Sequence, residues 1–531
     1  MAGASGAPHL ADVATVRGWL GDGGEIAFLD VREEGEHGAG HPLLAVNLPY
    51  SRLELDIARL VPRRACRVVL IDGGDGVAAK AARRLAALDY GAVHALAGGV
   101  AAWAAAYPLF PSTNVPSKAF AELVEIDRHT PHVTPPELDR LRRAGTKLAV
   151  LDSRTVEEFN RFHVPGAVSC PGAELVHRFA DLVPDPDTLV VVSCAGRTRS
   201  IIGAQSLINA RVPNKVVSLQ GGTQAWRLSG LELERDTKAA LAPVSGAAAA
   251  AARRFAEGVA ARFGVRSIDR ATLDAWQADE QRTTFVLDVR TPHEYAAGHL
   301  AGSLSAEGGQ LVQAIDRWVG TRGARLVLVD DSGTRATMTA HWLVQMGWDA
   351  VVLDQPFAGQ KLETGLGQQS AALPDVLRIG VAEAAHWLND GAAAIAICPS
   401  ADYRKAHPEE AVWAIRPRLD RLPPSVLGAS RIAVFADDEA VGALAVCDLA
   451  EITRRPVALV DGGMAAWRAG GRPFAASPED PPDGERIDYI FWNHDRHAGN
   501  EAAMRAYLQW ELDLPGEIAR DGLAGFTLAA G

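Results

Sequence analysis

The feature that most constrains this chain is that it repeats itself. A short β-branched run ending in Asp-x-Arg recurs along the 531 residues, each time followed by Glu, an aromatic or histidine, and then His. The first copy has Phe28-Leu29-Asp30-Val31-Arg32 with Glu36, His37 and His41, and the second has Val150-Leu151-Asp152-Ser153-Arg154 with Glu158, Phe159 and His163. The third has Val286-Leu287-Asp288-Val289-Arg290 with Glu294, Tyr295 and His299, and the fourth is worn, with Ile397-Cys398-Pro399-Ser400, Tyr403 and His407. A second pattern, Gly-Gly-x-x-x-Trp, closes three copies at Gly98 to Trp103, Gly221 to Trp226 and Gly462 to Trp467; the third copy has Gln355-Pro356 there. The copies are spaced at domain length, too far apart for a solenoid of stacked short repeats.

Between the two patterns each copy holds an apolar run that leads into a helical stretch: 67–71, 189–193, 325–329 and 431–435. Continuous apolar runs suit strands buried on both faces of a parallel sheet. Strands alternating with helices predict βαβ units and an α/β fold. An alanine run at 247–252 falls in a helix joining copies two and three, and the Pro- and acid-rich 477–484 is a break. Beyond it lies a tail whose amphipathic helix, at 501–514, packs its aromatics back onto a domain.

Composition removes several function classes. Net charge is −12, which argues against nucleic acid or an anionic membrane as the main partner, because phosphate binding needs clustered Lys and Arg. No stretch approaches the ~18–20 apolar residues of a membrane span, and the first residues lack a secretion signal. The five cysteines (Cys66, Cys170, Cys194, Cys398, Cys447) are widely spaced and form no CxxC pair. They read as free thiols of a cytoplasmic protein, without zinc-ligand spacing.

One loop carries chemistry. Ser193-Cys194-Ala195-Gly196-Arg197-Thr198-Arg199-Ser200 stands where a buried parallel strand ends and a helix begins, the place where ligands and nucleophiles gather in such sheets. Backbone N–H groups of Ala195, Gly196, Arg197, Thr198 and Arg199 can cradle the sulfur, the helix N-terminus adds partial positive charge, and Arg197 and Arg199 add full charges. All three favour thiolate, the nucleophilic form. The equivalent positions hold Asp72, Asp330 and Ala436. A carboxylate cannot carry sulfur and repels an anionic donor, so copies one, three and four read as silent.

The Asp-x-Arg, Glu-aromatic and His pattern, the strand-Cys-loop-helix and the closing Gly-Gly-x-x-x-Trp together resemble the rhodanese family. The resemblance implies four tandem domains, each a central parallel sheet flanked by helices, at 8–112 (Asp72 at the cysteine position), 130–235 (Cys194), 265–372 (Asp330) and 376–476 (Ala436), with a tail at 485–531. It implies a thiosulfate sulfurtransferase. Cys194 takes a sulfane sulfur from a donor as a covalent persulfide, with no other cofactor and no metal, and passes it to cyanide, a thiol or an acceptor protein. The family loop is Cys-x-x-x-x-Arg with Gly at its fourth position; here Gly196 is third and Arg197 fourth. Related phosphatases use a loop one residue longer, whose arginine would fall at Ser200. The two loop arginines favour dianionic thiosulfate as donor, since the related mercaptopyruvate enzymes carry a more neutral loop of small and hydroxyl residues, with an organic persulfide still open. A sulfur-relay or redox-sensing scaffold, loaded by a partner protein, is the alternative. By analogy with two-domain relatives, copy one pairs with copy two, and three with four. Asp152, Arg154, Glu158 and His163 recur in silent copies and read as fold-holding.

Overall fold

The computed structural model describes residues 8–366, 373–497 and 499–529. The end of the expected third domain (367–372) and three residues of the tail (498, 530 and 531) lie outside the described residues. Among the described residues, the backbone forms four five-stranded parallel sheets with one shared strand order. In the second, the order across the sheet is His132–Val133, Val216–Leu219, Leu189–Ser193, Leu148–Asp152 and Val168–Ser169. The apolar runs Arg67–Ile71, Leu189–Ser193, Arg325–Val329 and Ile432–Ala436 are the middle strands. Their positions explain their composition: Val190, Val191 and Val192 are all fully buried, with sheet neighbours on both edges and helices on both faces. The fold is α/β, with one sheet architecture repeated four times.

The recurring polar residues hold this architecture. Arg154 folds back onto Asp152 through Nε (2.9 Å) and Nη2 (2.8 Å) and donates to the carbonyl of Phe162. Arg32 does the same with Asp30, and Arg290 with Asp288. These are charge-assisted bonds inside the protein; Arg154 is only 1% exposed. The aromatic-then-histidine spacing is a stacking device. Phe159 lies on His163 at 3.7 Å, Tyr295 on His299 at 3.8 Å, and Tyr403 on His407 at 3.8 Å. Each histidine is four residues on from its ring partner, and its Nδ1 lies within hydrogen-bonding reach of that partner's carbonyl in copies two and three.

The domains do not pair in chain order. Copy two packs on copy three, and copy one on copy four. The alanine-rich helix Gly246–Phe263 shows why: Ala248, Ala252 and Ala256 are buried at four-residue intervals. Small side chains on one stripe let it lie between helix Glu174–Leu182 of the second unit and helix Thr334–Gln345 of the third. Arg335 then bridges the two units, reaching Glu294 of its own unit and Glu174 of the other, each at 2.8 Å. At the other junction Arg416 of the fourth unit donates two hydrogen bonds to Glu54 of the first, each 2.7 Å, and one to Asp448 of its own unit at 2.8 Å.

The tail helix is longer than its sequence signal, running Glu501–Asp521. Its aromatics do pack back, though onto the connection between units rather than onto one domain. Tyr507, Trp510, Leu514 and Ile518 share a core with Leu43 and Phe110 of the first unit and with Val115 and Ala119 of the connecting helix Val115–Arg128.

The two kinds of inter-unit ion pair should respond differently to substitution. Arg416→Ala removes a buried guanidinium from Glu54 and Asp448, leaving Arg84 as their shared partner, and should cost about 3 kcal/mol. Arg52→Ala removes an exposed pair with Asp438 and should cost less than about 1 kcal/mol. Thermal unfolding of the full chain reads the difference directly.

Candidate active site at the Cys194 loop

The middle strand of the second sheet ends at Ser193, and Cys194 is the first residue past it. The turn Cys194–Arg197 then feeds helix Thr198–Asn209. Cys194 is 2% exposed, and the backbone N–H groups of Gly196 and Ser200 face its sulfur, with the Ser200 hydroxyl beside it. The helix has no side-chain cap: Arg197 stands at the N-cap position and accepts nothing there. Its first amides are therefore available to an anion at the sulfur.

The closing Gly-Gly pattern supports this loop from behind. Gly222 has φ +54°, and a Cβ on it would stand 2.2 Å from the carbonyl oxygen of Cys194. Only glycine permits that approach. The amide of Thr223 then donates to the same carbonyl at 2.8 Å, and that of Gln224 to the carbonyl of Ala195 at 3.1 Å. Gly99 and Gly463 press equally closely on the carbonyls of Asp72 and Ala436. So the pattern that looked like a closing signature in the sequence is the back wall of the cradle.

In the silent units the cradle contains the chain's own carboxylate. Asp72 accepts from the amides of Gly74 and Ala78, both at 3.0 Å. Asp330 accepts from the amides of Gly333 (2.7 Å) and Arg335 (2.9 Å) and from the Ser332 hydroxyl (3.0 Å). In the fourth unit Ala436 offers nothing, and Asp438 caps the helix instead, accepting from the amides of Ala440 and Val441. Of the four, only the second presents a thiol to these donors.

The arginines are placed differently from the sequence reading. Arg197 turns away from the sulfur. Its Nε and Nη2 each donate to Glu122 at 2.7 Å, and Nη2 also reaches Glu125, both on helix Val115–Arg128. Arg199 lies against the site but is held by Glu158 through Nη1 (2.5 Å) and Nη2 (2.8 Å). Neither guanidinium is free for a sulfonate. The net effect on the thiol is also the reverse of the expectation. Burial pushes the Cys194 thiol up, and this outweighs Arg199, the Ser200 hydroxyl and the two amides, which pull it down.

Sequence reasoning missed three groups. Glu158 does more than cap its helix; although burial opposes it, Arg199 holds its carboxyl down at about 2. The same pair recurs as Glu294 with Arg335, and an arginine five residues past both Cys194 and Asp330 was the available signal. Glu122 and Glu125 gave no signal, being charges on an ordinary amphipathic helix. Glu511 and Tyr507 of the tail helix also reach the loop, from more than 300 residues away in sequence: Thr198 donates to Glu511 at 3.3 Å, and the ring edge of Tyr507 lies beside Gly196. The other four cysteines sit outside any such cradle, and among the described residues no group of three or more His, Cys, Asp or Glu side chains has metal-binding geometry. No described helix is long and apolar enough to cross a membrane.

Comparison with known proteins places these features. The family model for the rhodanese-like domain matches residues 12–106, 134–229 and 269–359. The crystal structure of a thiosulfate sulfurtransferase from Pseudomonas aeruginosa is 42% identical, covers 98% of this chain and all of its own, and superposes with a TM-score of 0.92. Two curated relatives match over 19% and 23% of this chain. An HTH-type transcriptional regulator from Mycobacterium tuberculosis is 35% identical over 102 residues, and a TBC domain-containing protein kinase-like protein from Gallus gallus is 28% identical over 129. Those matches span 44% and 14% of the relatives' own lengths.

Because burial raises the Cys194 thiol, its alkylation by iodoacetamide should keep accelerating with pH beyond the ordinary thiol value of about 8.5. Arg199→Leu should move the midpoint higher still, and Arg199→Lys should move it less. Mass analysis of the Cys194 peptide across a pH series gives both midpoints.

Proposed function

This chain belongs to the rhodanese-like domain family, and we propose that it is a sulfurtransferase that carries sulfane sulfur on Cys194, with thiosulfate as donor and cyanide or a thiol as acceptor. The observation that carries the reading is the contrast among four equivalent cradles. Three have their helix amides occupied by Asp72, Asp330 or Asp438, and one presents a thiol to them. A persulfide is an anion that such amides stabilise. The Pseudomonas relative, called a thiosulfate sulfurtransferase, supports thiosulfate as donor.

The chemistry balances without a cofactor. The Cys194 thiolate attacks the outer sulfur of thiosulfate, the S–S bond breaks, and its electron pair leaves on sulfite. The sulfur stays on Cys194 as a persulfide whose terminal atom lies among the loop amides. Cyanide or a thiolate then attacks that atom, and the electron pair of the new S–S bond returns to Cys194 as thiolate. Arg199, steadied by Glu158, supplies the one nearby cation in both halves.

The paired arginines favour a second reading, a sulfur relay loaded by a partner protein, because they leave no free cation to collect a dianion from solution. The two separate on turnover. Thiosulfate and cyanide should yield thiocyanate with the wild-type chain, and Cys194→Ser should lower the rate by at least about a thousandfold while the far-ultraviolet circular dichroism stays the same. A wild-type chain that yields no thiocyanate, yet takes sulfur from a cysteine desulfurase persulfide, would be a relay.

A further inference from the structure

We propose that the tail helix Glu501–Asp521 is a working part of the Cys194 site, with Glu511 as the positioning residue that holds loop 194–199 in its sulfur-receiving shape. The proposal rests on the reading of Cys194 as the sulfur carrier. It starts from the two departures of this loop from the family pattern, glycine at the third position and arginine at the fourth.

Both departures meet added helices. Gly196 is not in the left-handed region, so its backbone does not call for glycine. The space around it does. A Cβ on residue 196 would stand 3.2 Å from Glu511 Oε2, 3.5 Å from Gln224 Nε2 and 3.6 Å from the Tyr507 ring. A methyl there is tight against the Glu511 carboxylate, and anything larger has to push the Glu511 and Tyr507 side chains aside. Arg197, the fourth residue, ties the loop to Glu122 and Glu125 on helix Val115–Arg128, and that is the helix on which the tail helix packs. The loop is thus clamped between a connecting helix and a terminal one, neither of which is part of the second sheet.

Glu511 is the residue of the terminal helix that makes this contact. Oε1 accepts from Thr198 Oγ1 at 3.3 Å and from the Tyr507 hydroxyl at 3.0 Å. Oε2 is buried beside Gly196 and has no hydrogen-bond partner among the described residues, and neither has Oε1 of Gln224, whose amide lies beside the same glycine. The Glu511 side chain is 2% exposed. A buried polar side chain facing a backbone loop at this cost is kept for what it positions. The charged groups around it are Lys118 and Glu122 on the connecting helix, Arg496 from the preceding helix and Arg197 of the loop. Burial raises the Glu511 carboxyl toward its neutral form against the pull of these cations, so an amide of the same shape can replace it.

The test compares full-length wild type, Glu511→Ala, Glu511→Gln and Gly196→Val. Two quantities are read on the Cys194 peptide by mass spectrometry: sulfur taken up from thiosulfate, and iodoacetamide alkylation against pH. Glu511→Ala should slow sulfur uptake about tenfold and shift the alkylation midpoint, and Glu511→Gln should restore both to within about threefold. Gly196→Val, which pushes the Glu511 side chain away from the loop, should reproduce Glu511→Ala. Wild-type uptake and an unmoved midpoint in both Glu511→Ala and Gly196→Val would overturn the proposal. A wild-type chain that takes up no sulfur from thiosulfate would remove thiosulfate as the donor instead, and the alkylation midpoints would still decide the role of the helix.

Discussion

Everything at the site depends on the fate of a few backbone N–H groups where the middle strand of each sheet turns into a helix. A helix leaves its first amides without partners inside itself, and burial makes unpaired donors costly. Each unit has to supply an acceptor. Asp72, Asp330 and Asp438 do so from the chain in three of them. In the second unit the acceptor is the sulfur of Cys194. In the first, second and fourth units a glycine pressed onto the carbonyl of the residue at the loop's start fixes the cradle whether or not a thiol stands in it. Silent units therefore keep the frame of an active one.

A second theme is where the arginines go. In sequence, Arg197 and Arg199 look like charges for a substrate. In the structure both are bound to carboxylates, as are Arg335 and Arg416 at the junctions between units. A guanidinium buried with a carboxylate gives direction and register more than raw stability. Here Arg335 ties unit two to unit three and Arg416 ties unit one to unit four. The active loop is anchored through the same currency of contacts, so the shape of the site and the assembly of the chain are not separable.

The repeat, the α/β class, the middle strands and the loop at Cys194 could all be read from the sequence, because each is a local pattern: apolar runs, Asp-x-Arg, Gly-Gly-x-x-x-Trp. The silent positions were equally legible, since Asp72, Asp330 and Ala436 follow the same strand. What could not be read is long-range. The pairing of units depends on an alanine stripe whose partners lie far along the chain. The partners of Arg197 are glutamates on a connecting helix with no motif. The direction of the Cys194 shift depends on burial, which two nearby arginines in the sequence conceal. Glu511 is invisible in a one-dimensional reading, although the misplaced glycine at 196 was a trace of it.

The most direct test of the account is to treat the full-length chain with thiosulfate, digest it under non-reducing conditions and locate sulfane sulfur on its five cysteines by peptide mass. The account predicts one added sulfur on the Cys194 peptide and none on the peptides of Cys66, Cys170, Cys398 and Cys447. Sulfur on any of those four with Cys194 bare would contradict it.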